Sequence, residues 1–285
     1  MDEAEDGAPE DGAPEAGTPV TGTPVTGSSV TGGSVTGGPA VTGGRGNGNP
    51  VGNWDPRVVL LGRQGSGKGT QADRLSELYH VPHISTGEAF RAAVREGSEL
   101  GRTVQAYMER GELVPDDVVV GVLREHLVKQ ARLRVGRAGG FILDGFPRNI
   151  RQAEALSDLL TPEGLDVVVN LDVSTEEVLR RIAGRRVCPN CGASYDVVNN
   201  APVQAETCDV CGGRLVQRDD DTEDAIRRRL ELYESETAPL VDWYSEQGLL
   251  ATVDASGPPD EVTERTVKAI EAARVRRKGV HLTGH

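Results

Sequence analysis

Cationic surface is what this 285-residue chain has least of. Asp and Glu outnumber Lys and Arg by 44 to 31, giving a formal net charge of -13. General binders of nucleic acid or membrane surfaces need positive surface to displace counterions, so the charge balance argues against those partners and any phosphate recognition has to be local. Lysine occurs only at positions 68, 129, 268 and 278, the other basic residues being arginine. One lysine in a special place therefore carries more weight than an arginine cluster. No uninterrupted apolar run approaches the ~18 residues of a membrane span. The first residues, Met1 to Asp6, are acidic where a secretion signal is basic and then apolar. A soluble cytoplasmic protein is expected. Cysteine is absent outside 188–211, which in that compartment argues for a metal site over a disulfide framework.

The first fifth of the chain contributes almost nothing apolar. Residues 1–54 are Gly, Thr, Pro, Val and Ser behind an acidic start, with Val-Thr-Gly recurring at 20–22, 25–27, 30–32, 35–37 and 41–43; this composition reads as a disordered tail. From Arg57 the texture changes to short apolar runs alternating with amphipathic stretches, the pattern of a parallel sheet covered by helices. Strands are expected at 57–62, 82–85, 140–144, 167–173 and 249–254. Helices are expected at 68–79, 88–96, 100–109, 116–131, 150–160, 174–183, 222–246 and 259–274. The main domain spans 55–272, and the Arg- and Gly-rich end, 273–285, reads as a flexible tail.

Gly62-Arg63-Gln64-Gly65-Ser66-Gly67-Lys68-Gly69-Thr70 follows an apolar strand and opens a helix. That context is what a Gly-x4-Gly-Lys match needs to be a phosphate loop. Glycines let successive backbone N–H groups converge on phosphate oxygens, and the helix N-terminus adds its dipole. Lys68 supplies a mobile cation. The residue after Lys68 is Gly69 and the hydroxyl comes at Thr70, which weakens the case for magnesium ligation by a P-loop hydroxyl. Further on, Ser85-Thr86-Gly87-Glu88 sits at a strand-to-helix junction with Arg91 one turn later, and Asp144 closes the strand of GFILDGFPR with Arg148 four residues on. A strand-end carboxylate is placed to hold waters around magnesium. Arg181 and Arg185 share a helix face; with Arg218 and Arg229 they bracket an insertion at 184–221.

Inside that insertion Cys188, Cys191, Cys208 and Cys211 form a Cys-x2-Cys-x16-Cys-x2-Cys array, each half followed by glycine. Two matched knuckles read as a zinc ribbon with a closed, structural coordination shell. Redox-active dithiols and a nucleic-acid-binding ribbon are the alternatives, the second disfavoured by the ribbon's few basic residues.

Taken in order, GSGKGTQA, ISTGEAFR, LDGFPRN and the two arginine clusters resemble the adenylate kinase family over about 57–260, in its bacterial form with a long zinc-binding lid. The resemblance implies an α/β fold: a P-loop kinase core on a five-stranded parallel sheet, a helical monophosphate-binding insertion at 85–114 and a zinc-ribbon lid at 184–221. It implies reversible phosphoryl transfer from ATP to AMP, giving ADP, with Mg2+ carried by ATP, structural Zn2+ in the lid and a monomeric protein. The ATP site would comprise Gly65, Ser66, Gly67, Lys68, Gly69, Thr70, Arg185, Ser194, Tyr195 and Gly257. The AMP site would comprise Thr86, Arg91, Glu112, Leu113, Val114, Gly145, Phe146, Pro147, Arg148, Gln152, Arg218 and Arg229, with Gln152 reading the adenine edge. Lys68, Arg148, Arg181, Arg218 and Arg229 would act in catalysis, and Asp220 and Asp221 would be hinge or ion-pair partners of the lid. Arg180, Arg186, Arg227 and Arg228 read as solvated surface charges. A kinase acting on UMP or CMP is the nearest enzymatic alternative, and Thr86, Gln152 and the long lid favour AMP.

Overall fold

The computed structural model describes residues 54–133, 139–197, 200–218 and 221–282. Of the tail read at 1–54, only Trp54 falls within them, and Asp220 lies outside. Five short apolar runs form the sheet: β1 Arg57–Leu61, β2 His83–Ser85, β3 Phe141–Asp144, β4 Val167–Asp172 and, after two lid strands, β7 Leu250–Asp254. Their order is β2-β3-β1-β4-β7 and every pairing is parallel. All five match the expected strands to within about a residue, because a strand buried on both faces reads as an unbroken apolar run.

Alternate residues of these strands supply two separate cores. Val58, Leu60, Ile142, Val169 and Leu171 face α1 (Lys68–Tyr79), α6 (Thr175–Gly184) and α9 (Pro259–Leu282), burying Leu75, Tyr79, Ile182 and Ile270 among them. Val59, Leu61, Phe141, Leu143 and Val168 face the other way, onto Leu123 of α4 (Asp116–Leu133), Leu156 of α5 (Ile150–Leu159) and Leu240 of α8 (Pro239–Glu246). After β1 the chain first builds the sheet on one side and then returns to build the other. The carboxyl ends of β1 and β3 therefore open onto a crevice, where α/β folds place ligands.

The monophosphate-side insertion is two helices, α2 (Thr86–Arg95) and α3 (Glu99–Glu109), each begun by a serine cap: Ser85 Oγ accepts from Glu88 N and Ser98 Oγ from Gly101 N. They cross where Gly101 meets Ala93; a Cβ on Gly101 would lie 2.1 Å from the Ala93 carbonyl oxygen. The lid carries a small antiparallel pair, β5 (Arg185–Val187) with β6 (Ser194–Asp196), which the sequence reading missed because three-residue strands have no periodicity to show.

Two helices differ from expectation. The stretch 222–246 is not one helix: α7 (Glu223–Leu232) passes into a π turn at Tyr233–Thr237 before α8. Pro239 has no N–H and its ring would press on the carbonyl four residues back, so the chain widens and Ala238 N donates to Tyr233 O at 2.7 Å. α9 runs to Leu282, well past residue 274. Arg276 and Arg277 lie toward the negative end of the helix dipole. Arg277 pairs with Asp166, and Arg274 stacks over Trp54 at 5.0 Å.

Gly101→Ala forces the α2–α3 crossing apart. We expect a loss of about 1–3 kcal/mol in stability, read as a lowered thermal midpoint, whereas alanine at Gly121 inside α4, where an added Cβ meets no neighbour within 4 Å and φ is not positive, costs nothing.

Candidate active site

The loop between β1 and α1 is shaped by Gly62, Gly65 and Gly67, all with positive φ (138°, 83° and 95°). A Cβ at Gly62 would also fall 2.6 Å from Ser66 Oγ and 2.7 Å from Leu171 O. Helix α1 has no acidic residue in its first turn, so its N-terminal N–H groups and dipole are left to an anion. Lys68 Nζ donates to the carbonyls of Gly62 and Arg63 at 2.8 Å each. Burial pulls its pKa down to about 8; Asp144 opposes the shift, and Arg148 and Arg185 add to it. A lysine held this way gains by meeting phosphate oxygens, which restore its charge.

Asp144, at the end of β3, is near the P-loop: a Cβ on Gly69 would stand 3.8 Å from its Oδ2. Its Oδ1 is buried with no hydrogen-bond partner in the structure. A carboxylate oxygen aimed into a polar crevice without a donor fits a hydrated cation.

On the far side of the same cleft, Thr86 Oγ1 donates to Gly145 O at 3.1 Å and Arg148 Nε donates to that carbonyl at 2.9 Å. Arg148 is held along its backbone too: its N–H donates to Gln152 Oε1 at 2.8 Å, and its carbonyl accepts from Thr237 Oγ1 in the π turn at 2.7 Å. Thr237 carried no motif in the sequence; only the long-range packing of the widened turn brings it here. Arg91, Glu112, Leu113, Val114, Gly145 and Pro147 line this half. Phe146 does not: it is 1% exposed and belongs to the second core, so its contribution is to anchor the loop from behind.

Between the halves stand the arginines. Arg181 donates to Glu177 Oε1 at 2.8 Å and to Ala255 O at 3.0 Å. Arg185 makes a two-pronged pair with Asp221, whose side chain has no exposed surface. Arg229 lies 3.8 Å from the same carboxylate and donates to Met108 O, while Gln64 of the P-loop donates to it at 3.0 Å. Arg218, Ser194 and Gly257 border the cleft. Tyr195 also reaches its rim, yet its hydroxyl is turned away, accepting from Asp209 N at 2.8 Å. Arg180, Arg227 and Arg228 are about half exposed and pair with carboxylates of their own helices, in keeping with surface charges. Asp196 and Asn200 of the lid and Tyr233 of the π turn line the cleft as well; no motif singled them out.

In the lid the four cysteine sulphurs lie within 4.8 Å of one another, without a disulfide. Cys188 to Cys211 is 3.4 Å and Cys191 to Cys208 is 3.5 Å, close to the ~3.8 Å edge of a tetrahedron built on zinc–sulphur bonds of ~2.3 Å. The two knuckles match: Gly192 N and Gly212 N donate back to the first cysteine's carbonyl, and both glycines have positive φ. The Cys191 backbone N–H holds the Cys188 thiol below its usual range, and the Tyr195 hydroxyl, as the main cause, draws Cys208 to about 6. Against the backbone N–H groups of Ala193 and Gly213, burial and the neighbouring sulphurs push Cys191 up and Cys211 to about 12, so the four thiols among themselves keep two protonated beside two that ionise readily. The donor set fits a tetrahedral thiolate metal.

A P-loop and an arginine-lined pocket sharing one cleft beside an inserted four-cysteine lid are the arrangement of a nucleoside-monophosphate kinase, and its matching family and relatives place the chain in that class. The adenylate kinase family model matches residues 60–249. The adenylate kinase of Streptomyces coelicolor is 49% identical over 218 residues, covering 75% of this chain and 98% of that protein. That of Thermodesulfovibrio yellowstonii is 50% identical over 208 residues (72% and 94%), and that of Methanosarcina barkeri 47% over 215 (75% and 97%). The chain belongs to the adenylate kinase family.

Since phosphate restores the proton that Lys68 begins to lose near pH 8, ATP binding should take up close to one proton at about pH 9 and almost none at pH 7. Calorimetry in buffers of different ionisation enthalpy measures this, and Lys68→Met abolishes the uptake.

Proposed function

We propose that this protein transfers the terminal phosphoryl group of ATP to AMP, reversibly, giving two ADP. The reading is carried by one observation: the P-loop with Lys68, the Thr86–Arg91–Arg148–Gln152 pocket and Arg181, Arg185, Arg218 and Arg229 line a single cleft.

Two polyphosphates brought end to end repel, so the chain's task is alignment and neutralisation in a site closed to water. Backbone N–H groups of the P-loop and Lys68 take the donor phosphates. Arg91 and Arg148 take the acceptor phosphate, and the guanidiniums between them meet the charge on the transferring group by paired hydrogen bonds. The acceptor oxygen is already ionised at neutral pH, so no general base is required. Asp144 would hold waters of the magnesium that accompanies ATP, and that ion supplies charge neutralisation across the phosphates. Cys188, Cys191, Cys208 and Cys211 would hold a structural zinc that keeps the lid a rigid flap. One chain supplies both sites, so the working unit is a monomer, acting in adenine-nucleotide balance in the cytoplasm.

A coupled assay for ADP from ATP, magnesium and AMP should give turnover that falls about 10²–10³-fold in Lys68→Ala. AMP should be the preferred acceptor over GMP, CMP and UMP; faster turnover with UMP or CMP overturns the assignment. Chelation of the lid metal should lower the thermal midpoint by several degrees while initial turnover of the still-folded protein stays within about twofold. Equal loss of both contradicts a purely structural metal.

A further inference from the structure

Gln152 is an ambiguous reader in principle. A primary amide offers a carbonyl acceptor and an NH2 donor, and a half-turn about its last bond exchanges them. A 6-aminopurine presents a donor (the amino group) beside an acceptor (N1), whereas a 6-oxopurine presents an acceptor (O6) beside a donor (N1–H). A rotating amide would pair equally well with either.

In this structure the amide has fixed neighbours on both ends. Its Oε1 accepts from the backbone N–H of Arg148 at 2.8 Å, and its Nε2 donates to Asp116 Oδ1 at 2.7 Å. The first neighbour can only donate and the second, as a carboxylate, can only accept. The same oxygen of Asp116 takes Asn149 Nδ2 at 3.1 Å, and Asn149 Oδ1 accepts from Gln152 N at 2.9 Å, so the neighbouring amide is oriented in the same sense. Turning Gln152 over would set NH2 against N–H and oxygen against oxygen. With Gln152 only 1% exposed, water cannot make up for the two lost bonds. Each end of the amide keeps one further position, a lone pair on Oε1 and a hydrogen on Nε2. Gln152 lines the cleft, whereas Asp116 stands behind it on the first turn of α4.

We infer that Asp116 is a specificity-determining positioning residue: by locking the Gln152 amide in one orientation, it makes the acceptor pocket select 6-aminopurine over 6-oxopurine monophosphates. The inference rests on the reading of this pocket as the AMP site.

The experiment compares three acceptors with the intact protein: AMP, purine riboside 5′-monophosphate, which has N1 as an acceptor but no group at C6, and IMP. A locked amide loses one contact with the purine compound but faces two mismatches with IMP. The expected order of kcat/KM is AMP above purine riboside monophosphate above IMP. IMP equal to or better than the purine compound overturns the proposal, whereas absence of ADP from ATP and AMP overturns the AMP reading itself. The second arm is Asp116→Asn, equal in size and able to donate or accept at the Gln152 contact. It should narrow the gap between the purine compound and IMP by about tenfold, chiefly through KM for the acceptor, leaving KM for ATP unchanged. A folded variant whose three acceptor KM values rise together with the gap intact shows a merely structural Asp116 and sinks the proposal. If that variant does not fold, Asp116→Ser, which can also donate or accept at the Gln152 contact, carries the same readout.

Discussion

A carboxylate with no solvent of its own sits at the centre of this molecule. Asp221 has no exposed side-chain surface, yet it is the shared partner of Arg185, of Arg229 at 3.8 Å and of Gln64 in the P-loop. An unpaired carboxylate in such a place would be strongly unfavourable, so the guanidiniums and the amide are required around it, and it in turn keeps like charges close together. Three segments distant in sequence, the P-loop, the start of the lid and α7, are thereby drawn to one point. In a chain of net charge -13, this is how a strongly cationic cleft is assembled and kept from flying apart before any phosphate arrives.

The rest of the site is arranged around the same electrostatic problem. Lys68 lies among cations and is desolvated, which weakens its hold on its proton; Asp144 at the end of β3 offsets part of that. Its two carbonyl partners in the P-loop, at 2.8 Å each, hold the ammonium against the loop. The sheet makes this possible. Buried on both faces, β1 and β3 present loop and carboxylate from the carboxyl edge of the sheet.

Much of this was legible in the residues. The five strands appear as apolar runs because parallel strands are covered on both sides, and Lys68 stood out because lysine is rare here. The cysteine spacing announced its knuckles. Less visible were contacts made by unremarkable residues. Thr237, reaching the Arg148 carbonyl, carries no motif, and the π turn that delivers it arises from Pro239 meeting a helix that must also pack on the sheet. Phe146 sat inside a motif and was assigned to the cleft, but a large apolar ring beside two cores goes where it can be buried. Tyr195 likewise gives its hydroxyl to the knuckle of Cys208 and Asp209.

Local chemistry, then, was decided in the linear order of residues: which loop can wrap a phosphate, which thiols can share a metal, which runs must be strands. Those properties depend on neighbours within a few positions, where geometry is set by covalent spacing. Pairings across the fold were decided only once the chain closed on itself. Asp221 meeting Gln64 spans 157 residues, and the amide of Gln152 meeting Asp116 spans 36. Whether a carboxylate faces solvent or two arginines, and which way an amide points, depends on who else is buried there, and burial is a property of the assembled core.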